Sequence, residues 1–94
     1  MACSYWVYIM TNAYNHVLYT GVTNDLRRRI AQHKAGKGSA FTSRYRVHKL
    51  VFCEEFCRIT DALAAEKRIK AGSRARKIER IEALNSEWKD LAAE

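Results

Sequence analysis

The chain has 94 residues and a mass of 10.9 kDa, with 48% hydrophobic and 29% charged residues. This length allows one domain, residues 1–94, and the composition excludes a disordered or fibrous protein. Seventeen basic and ten acidic residues give a net charge of +7, which favours a polyanionic partner such as nucleic acid. No apolar run reaches the roughly 18 residues that span a bilayer, and the first residues lack signal-peptide character. We therefore expect a cytoplasmic protein with no membrane partner.

The polar and apolar patterning predicts a β-hairpin at the start of the chain. Residues 5–10 are apolar on both faces, which is typical of a central strand, and residues 17–22 form a second strand after the polar segment 11–16. A turn at the middle of that segment would pair Tyr8 with Tyr19 on the same sheet face.

Helix and turn signals continue the prediction. Thr23 or Asn24 caps a helix that begins near Asp25 and ends at about Ala35, before Gly36. Residues 37–49 predict a loop, residues 50–56 a third strand, and two further helices follow, one after the candidate cap Thr60 and one after Ser73. The prediction is an α+β fold in which a small three-stranded antiparallel sheet is flanked by three helices, in the order β-β-α-β-α-α.

Cysteine content gives little support for a disulfide framework or a zinc site. Cys3, Cys53 and Cys57 are odd in number and have apolar neighbours, so we expect reduced thiols. No second pair of zinc-type ligands accompanies Cys53 and Cys57.

Two polar residues fall on the inward side of the first helix. Arg29 and His33 lie beside the apolar stripe of Leu26 and Ile30. A guanidinium matches phosphate oxygens in bidentate fashion, and a histidine can exchange a proton near neutral pH. Alternatively, Arg29 extends past the sheet edge to solvent and His33 is a hydrogen-bonded boundary residue.

A carboxylate occupies the predicted apolar arc of the second helix. Glu66 lies near the centre of the arc formed by Ile59, Ala62, Leu63 and Ile69. Such a carboxylate can be protonated, paired with an internal cation such as Arg29, or held ionised by a metal. Magnesium and manganese are the metals that a hard oxygen ligand suits. These alternatives remain open on the residues alone.

The predicted hairpin also brings two phenols together. Tyr8 and Tyr19 would share a face with Gly21, whose missing side chain leaves space for a ligand or a backbone. With Arg29, His33 and Glu66 they outline a pocket holding the groups that phosphodiester hydrolysis requires. An ordinary core tyrosine pair is the alternative.

Basic residues cluster at the join of the last two helices and before the third strand. They could follow a phosphate backbone, although a solvated surface is the alternative. The candidates for nucleic-acid binding are Arg44, Lys67, Lys70 and Arg74.

These residues together resemble the GIY-YIG nuclease domain, and specifically its small stand-alone bacterial members, which are similar to the N-terminal domain of the excision-repair nuclease. Val7-Tyr8-Ile9 corresponds to the first motif and Tyr19-Thr20-Gly21 to the second, with Arg29 and His33 following at the usual spacing. Glu66 falls in a segment similar to the metal-binding helix of the family, and Asn85 stands before Trp88 of the closing helix. Thr20 replaces an apolar residue of the second motif, and the first motif lacks its glycine.

The resemblance implies a role for each matching residue. Tyr19 would activate a water, Tyr8 would lie close by, and His33 would help the proton transfer. Arg29 would stabilise charge on the phosphate, and Asn85 would bind the backbone or order the site. Glu66 would hold Mg²⁺ or Mn²⁺.

The implied function is a divalent-metal-dependent endonuclease that hydrolyses DNA phosphodiester bonds, in repair or recombination. A non-catalytic nucleic-acid-binding module is the first alternative. The second is a subunit that cuts only with a protein partner, which would supply target specificity.

Overall fold

A computed structural model of the protein describes residues 3–93. Three antiparallel strands are β1 Tyr5–Thr11, β2 Leu18–Thr23 and β3 Lys49–Phe56, and the helices are α1 Leu26–Lys34, α2 Ala40–Arg44, α3 Ile59–Ala71 and α4 Arg74–Leu84. The predicted α+β class and strand and helix order are confirmed. The short helix α2 is an addition within the segment that we expected to be a loop. No helix in residues 3–93 is long and apolar enough to cross a membrane.

Strand β1 is the central strand, because the sheet order is β2-β1-β3. Its side chains alternate between two buried faces, with Val7 and Ile9 on one and Tyr8 and Met10 on the other. Residues of α3 and α4 cover the first face, and Ile30 of α1 covers the second. Burial on both faces explains the continuous apolar run of β1.

The hairpin register differs by two residues from the prediction. Tyr8 lies opposite Gly21, and Tyr19 lies opposite Met10. The turn is displaced toward β2 because Asn15 adopts a φ of 59° and donates to the Asn12 carbonyl. An even shift keeps side chains on their faces, so the two tyrosines still share one.

The buried stripe of α3 also differs from the prediction. Ala62, Ala65 and Ile69 pack against the sheet, whereas Ile59 and Leu63 are 43% and 46% exposed. Small alanine side chains let the helix lie close to the strands, and the larger residues remain at its rim. Glu66 has an 18% exposed side chain and is therefore at the edge of the stripe.

The helix starts are partly as predicted. Ser73 caps α4 by accepting from the Arg76 amide, as expected. Asp25 itself caps α1, one residue after Asn24 and two after Thr23, the predicted caps. Helix α3 begins at Ile59, so Thr60 is not its cap.

The expectation of reduced cysteines was wrong for two of the three. Cys3 and Cys57 form a disulfide with their Cα atoms 4.1 Å apart. Antiparallel pairing of Tyr5 with Phe56 brings the residues just beyond the two strand ends together. Cys53 is a half-buried free thiol, and burial raises its pKa.

Candidate functional site

A hydrogen bond between Tyr8 and His33 forms the centre of the candidate site. Tyr8 is on β1 and His33 is on the inward face of α1, and both side chains are almost fully buried. The Tyr8 hydroxyl lies 2.9 Å from His33 Nε2. Tyr8 and His33 therefore both face inward, as predicted.

Helix α2 fixes the other side of the imidazole. Thr42 is fully buried, and its Oγ1 lies 3.0 Å from His33 Nδ1. Thr42 Oγ1 can in turn donate to the Ser39 carbonyl at 3.3 Å. Every donor is satisfied if Tyr8 donates to Nε2 and Nδ1–H donates to Thr42. This assignment leaves His33 neutral and holds its ring in one orientation.

Thr42 also belongs to this cluster, although it was not among the predicted site residues. The signal was available, since Ser39 is a helix-capping residue type and accepts from the Thr42 amide. A helix of only five residues has too little periodicity to be recognised within a polar segment.

Burial controls the protonation of both central residues. Desolvation lowers the pKa of His33 to about 4, and the nearby Arg29 cation adds to this effect. Burial likewise raises the pKa of Tyr8, against the opposing influence of Arg29. At neutral pH the pair is therefore a phenol that donates to a neutral imidazole.

Tyr19 lies against this pair with a more accessible side chain. Its ring centroid is 5.3 Å from that of His33 and 6.4 Å from that of Tyr8. Tyr19 is half-buried, and its hydroxyl interacts with Arg29, which contributes to the raised pKa of that guanidinium. This phenol is consequently the one that can meet a molecule arriving from solvent.

Two glycines make the close packing of the cluster possible. A Cβ on Gly21 would overlap the Tyr8 hydroxyl, and a Cβ on Gly38 would overlap the His33 imidazole. The space that Gly21 was predicted to leave above the sheet is therefore occupied by the side chain of Tyr8.

Arg29 is half-buried at the border of the cluster. Its Nη1 donates to Gln32 Oε1 and its Nη2 donates to the Gly38 carbonyl, each at 3.0 Å. Tyr8 raises the pKa of Arg29, and Tyr19 contributes in the same direction. The guanidinium carries five N–H donors, so it retains donors for a phosphate while these two bonds hold its position.

Glu66 lies on α3, whose buried residues pack on the sheet face opposite to Tyr8. Its charge contributes to the raised pKa of Tyr8, and its Oε2 lies 3.2 Å from Lys70 Nζ. Its cationic partner is therefore Lys70, one helical turn away, and not Arg29.

The Glu66 carboxylate can bind a magnesium or manganese ion only if other ligands complete the coordination of the metal. No group of three or more His, Cys, Asp or Glu residues in positions 3–93 could enclose a metal. Magnesium is commonly bound through one or two carboxylates, with water and substrate phosphate as the remaining ligands. A single accessible carboxylate is compatible with that mode.

The structure gives Asn85 a different setting from the other five predicted catalytic residues. Its side chain is buried, and its Nδ2 donates to the carbonyls of Val51 and Lys89. Its Oδ1 accepts from the Lys89 amide. The Asn85 amide thus ties β3 to the chain after α4, and its hydrogen bonds reach no residue of the tyrosine cluster.

The four predicted nucleic-acid contacts are all exposed. Lys70 pairs with Glu66, and Arg74 donates to the Asn15 carbonyl in the hairpin turn. Arg44 belongs to α2, the helix that also positions Thr42. Lys67 lies next to Glu66 on α3.

A comparison with known families identifies this arrangement. The sequence profile described as the GIY-YIG catalytic domain matches residues 4–79. The chain belongs to the GIY-YIG family. That match extends from the residue before β1 into α4, and it includes five of the six predicted catalytic residues, all but Asn85. GIY-YIG is a nuclease family, so the cluster lies in what the family defines as a catalytic domain.

Several small GIY-YIG relatives resemble the chain over most of its length. A UPF0213 protein of Natronomonas pharaonis is 40% identical over 77 residues, which cover 82% of this chain and 89% of that protein. One from Staphylococcus haemolyticus is 40% identical over 78 residues, covering 83% and 94%. The solution NMR structure of a UPF0213 protein from Bacillus halodurans has a TM-score of 0.60 at 28% identity, covering 94% of this chain and 93% of that one.

Proposed function

We propose that the protein is a divalent-metal-dependent endonuclease that hydrolyses DNA phosphodiester bonds, in repair or recombination. The observation that carries the proposal is the hydrogen-bonded Tyr8–His33 pair with the accessible phenol of Tyr19 against it. Arg29 and Glu66 both act on the ionisation of Tyr8, so a cation that can bind phosphate and a hard oxygen ligand lie within electrostatic reach of that phenol. The net charge of +7 suits a polyanionic substrate.

In this proposal the residues divide the reaction between them. Tyr19 acts as the base in its phenolate form, because its side chain is the more accessible of the two. Its own proton passes to solvent first, the phenolate then takes a proton from the water that attacks phosphorus, and solvent protonates the leaving oxygen. Tyr8 and neutral His33 hold the local hydrogen-bond network in place beside Tyr19. Arg29 uses its free N–H groups to stabilise the charge that develops on the phosphate oxygens.

Glu66 is the residue that would hold the divalent cation. When bound, the cation supplies charge neutralisation at the phosphate and the leaving oxygen. Lys70 orients the Glu66 carboxylate until a cation competes for it.

The experiment that tests the metal role separates cleavage from binding. Glu66→Ala is expected to abolish cleavage in magnesium or manganese while leaving DNA affinity in a chelator close to that of the wild type. Glu79→Ala, an exposed glutamate on α4, is the matched control and is expected to cut normally. If Glu66→Ala fails to fold, Glu66→Gln preserves the side-chain shape and tests the same charge.

A Glu66→Gln protein that cuts at the wild-type rate would contradict the assignment of the ligand. If the wild type binds DNA tightly but leaves it intact with either metal, the protein acts as a binding module or requires a protein partner.

A further inference from the structure

Helix α2 extends the tyrosine cluster into a row of exposed aromatic rings. The rings of Tyr19 and Phe41 stack with centroids 5.9 Å apart and an interplanar angle of 28°. Phe41 then meets Tyr45 with centroids 4.9 Å apart. Phe41 and Tyr45 are each 43% exposed, so nearly half of each side chain faces solvent. We refer to Phe41 and Tyr45 as the aromatic shelf.

Packing of the protein itself does not account for the shelf. Neither ring belongs to the two buried clusters of the core, and exposing apolar rings gains little for folding. The shelf is nevertheless held firmly, because Thr42, between the two aromatic residues, is buried and bonded to His33. The same contact that orients His33 therefore fixes the shelf relative to the candidate site.

A cation accompanies the rings. The Arg44 guanidinium carbon lies 5.4 Å from the centroid of the Tyr45 ring. Flat aromatic surfaces beside an arginine are the combination with which proteins bind the bases and phosphates of single-stranded nucleic acid. The shelf thus offers a π surface for a base and a charge for its phosphate.

We propose that the aromatic shelf is a nucleobase-stacking subsite, which binds an unpaired base of the DNA strand and sets its neighbouring phosphate against Tyr19 and Arg29. This inference rests on the proposed nuclease function and adds a positioning site to it. A base within a duplex is already stacked between its neighbours and cannot lie on the rings. The shelf therefore binds substrates that have an unpaired or displaced nucleotide at the cleavage site.

The test uses the full chain with a chelator, so that binding is measured without cleavage. The probes are a short oligothymidylate and an abasic strand of equal length, which carry the same phosphates but differ in bases. The wild type is expected to prefer the oligothymidylate. Phe41→Ala is expected to bind it about 5-fold to 100-fold more weakly, as for the loss of one stacked base, with unchanged affinity for the abasic strand.

Ring-preserving and ring-removing variants separate stacking from general apolar contact. Tyr45→Phe keeps the ring and is expected to bind as the wild type does, whereas Phe41→Leu keeps apolar bulk but is expected to lose the preference for bases. Leu84→Ala removes a more exposed apolar side chain, 81% accessible, at the end of α4 and is the control for loss of a surface apolar group. Tyr45→Phe and Phe41→Leu also serve if Phe41→Ala does not fold.

Equal affinity of the wild type for the two strands, or a Phe41→Leu protein that keeps the base preference, would overturn the subsite. Failure of the nuclease proposal would look different. In that case the base preference and its loss in Phe41→Leu would persist, while the wild type would cut no DNA with magnesium or manganese.

Discussion

His33 occupies an interior position that opposes its protonation. Its two ring nitrogens are engaged by Tyr8 and Thr42, and its pKa falls from 6.5 to about 4. The unfolded chain therefore binds a proton at this residue over a pH range in which the folded protein does not. Stability from this group is complete above pH 6.5 and is lost as the pH falls toward 4.

We expect the free energy of unfolding to decrease by about 3 kcal/mol between pH 7 and pH 4 because of His33 alone. Urea denaturation at a series of pH values measures this decrease. His33→Asn removes the titrating group and should give a flatter profile over the same range. Parallel profiles for the two proteins would show that His33 is not the residue responsible.

The two phenols should respond differently to loss of their hydroxyl groups. Tyr8→Phe deletes a buried hydrogen bond and leaves His33 Nε2 without a donor, which costs about 1–3 kcal/mol of stability. Tyr19→Phe removes a half-buried hydroxyl that interacts with Arg29, which keeps its own bonds to Gln32 and Gly38, so the thermal midpoint should stay near that of the wild type. Its cleavage rate should fall by about 10²-fold or more if Tyr19 is the base. Rapid cutting by Tyr19→Phe would remove it from that role.

At the scale of helices and strands, local patterning predicted most of the architecture. The apolar run of β1 and the cap at Ser73 are short-range signals, and both appear where expected. The hairpin register depends on which residue of the turn adopts a positive φ, and several turn-forming residues in segment 11–16 were suitable. The stripe of α3 depends on how closely the helix approaches the sheet, which its alanines permit.

The proximity of the two tyrosines was predictable although the predicted strand register was wrong. An error of two residues keeps Tyr8 and Tyr19 on one face, so their proximity survived it. Thr42 was missed because a one-turn helix has no periodic signal. The setting of Asn85 was missed because its partners, Val51 and Lys89, belong to different segments whose meeting depends on tertiary packing.

Asn85 should therefore stabilise the packing of β3 against the segment that follows α4. Asn85→Ala removes three hydrogen bonds and leaves buried backbone groups of β3 and the following segment without partners. We expect a loss of about 2–4 kcal/mol in unfolding free energy, measured by denaturant titration, and near-normal cleavage per folded molecule. A stable Asn85→Ala protein with no cleavage would instead support the catalytic role implied by family resemblance.

At the scale of the whole molecule, the excess of basic side chains predicts salt-sensitive DNA binding. Each lysine or arginine that contacts a phosphate contributes about one unit to the slope of log affinity against log salt. Lys67→Ala should lower this slope by about one in binding titrations. Lys89→Ala is the control, because Lys89 pairs with Glu87 at 3.0 Å and is not among the proposed contacts. A Lys67→Ala slope equal to the wild-type slope would remove Lys67 from the interface.

DNA cleavage by this GIY-YIG chain should require a divalent cation. The most direct measurement is cleavage of end-labelled single-stranded, duplex, flap and branched DNA by the wild type, with magnesium, with manganese and with a chelator. We expect cut products with either metal and intact DNA with the chelator. Intact DNA under all three conditions, with tight and salt-sensitive binding, would contradict this expectation.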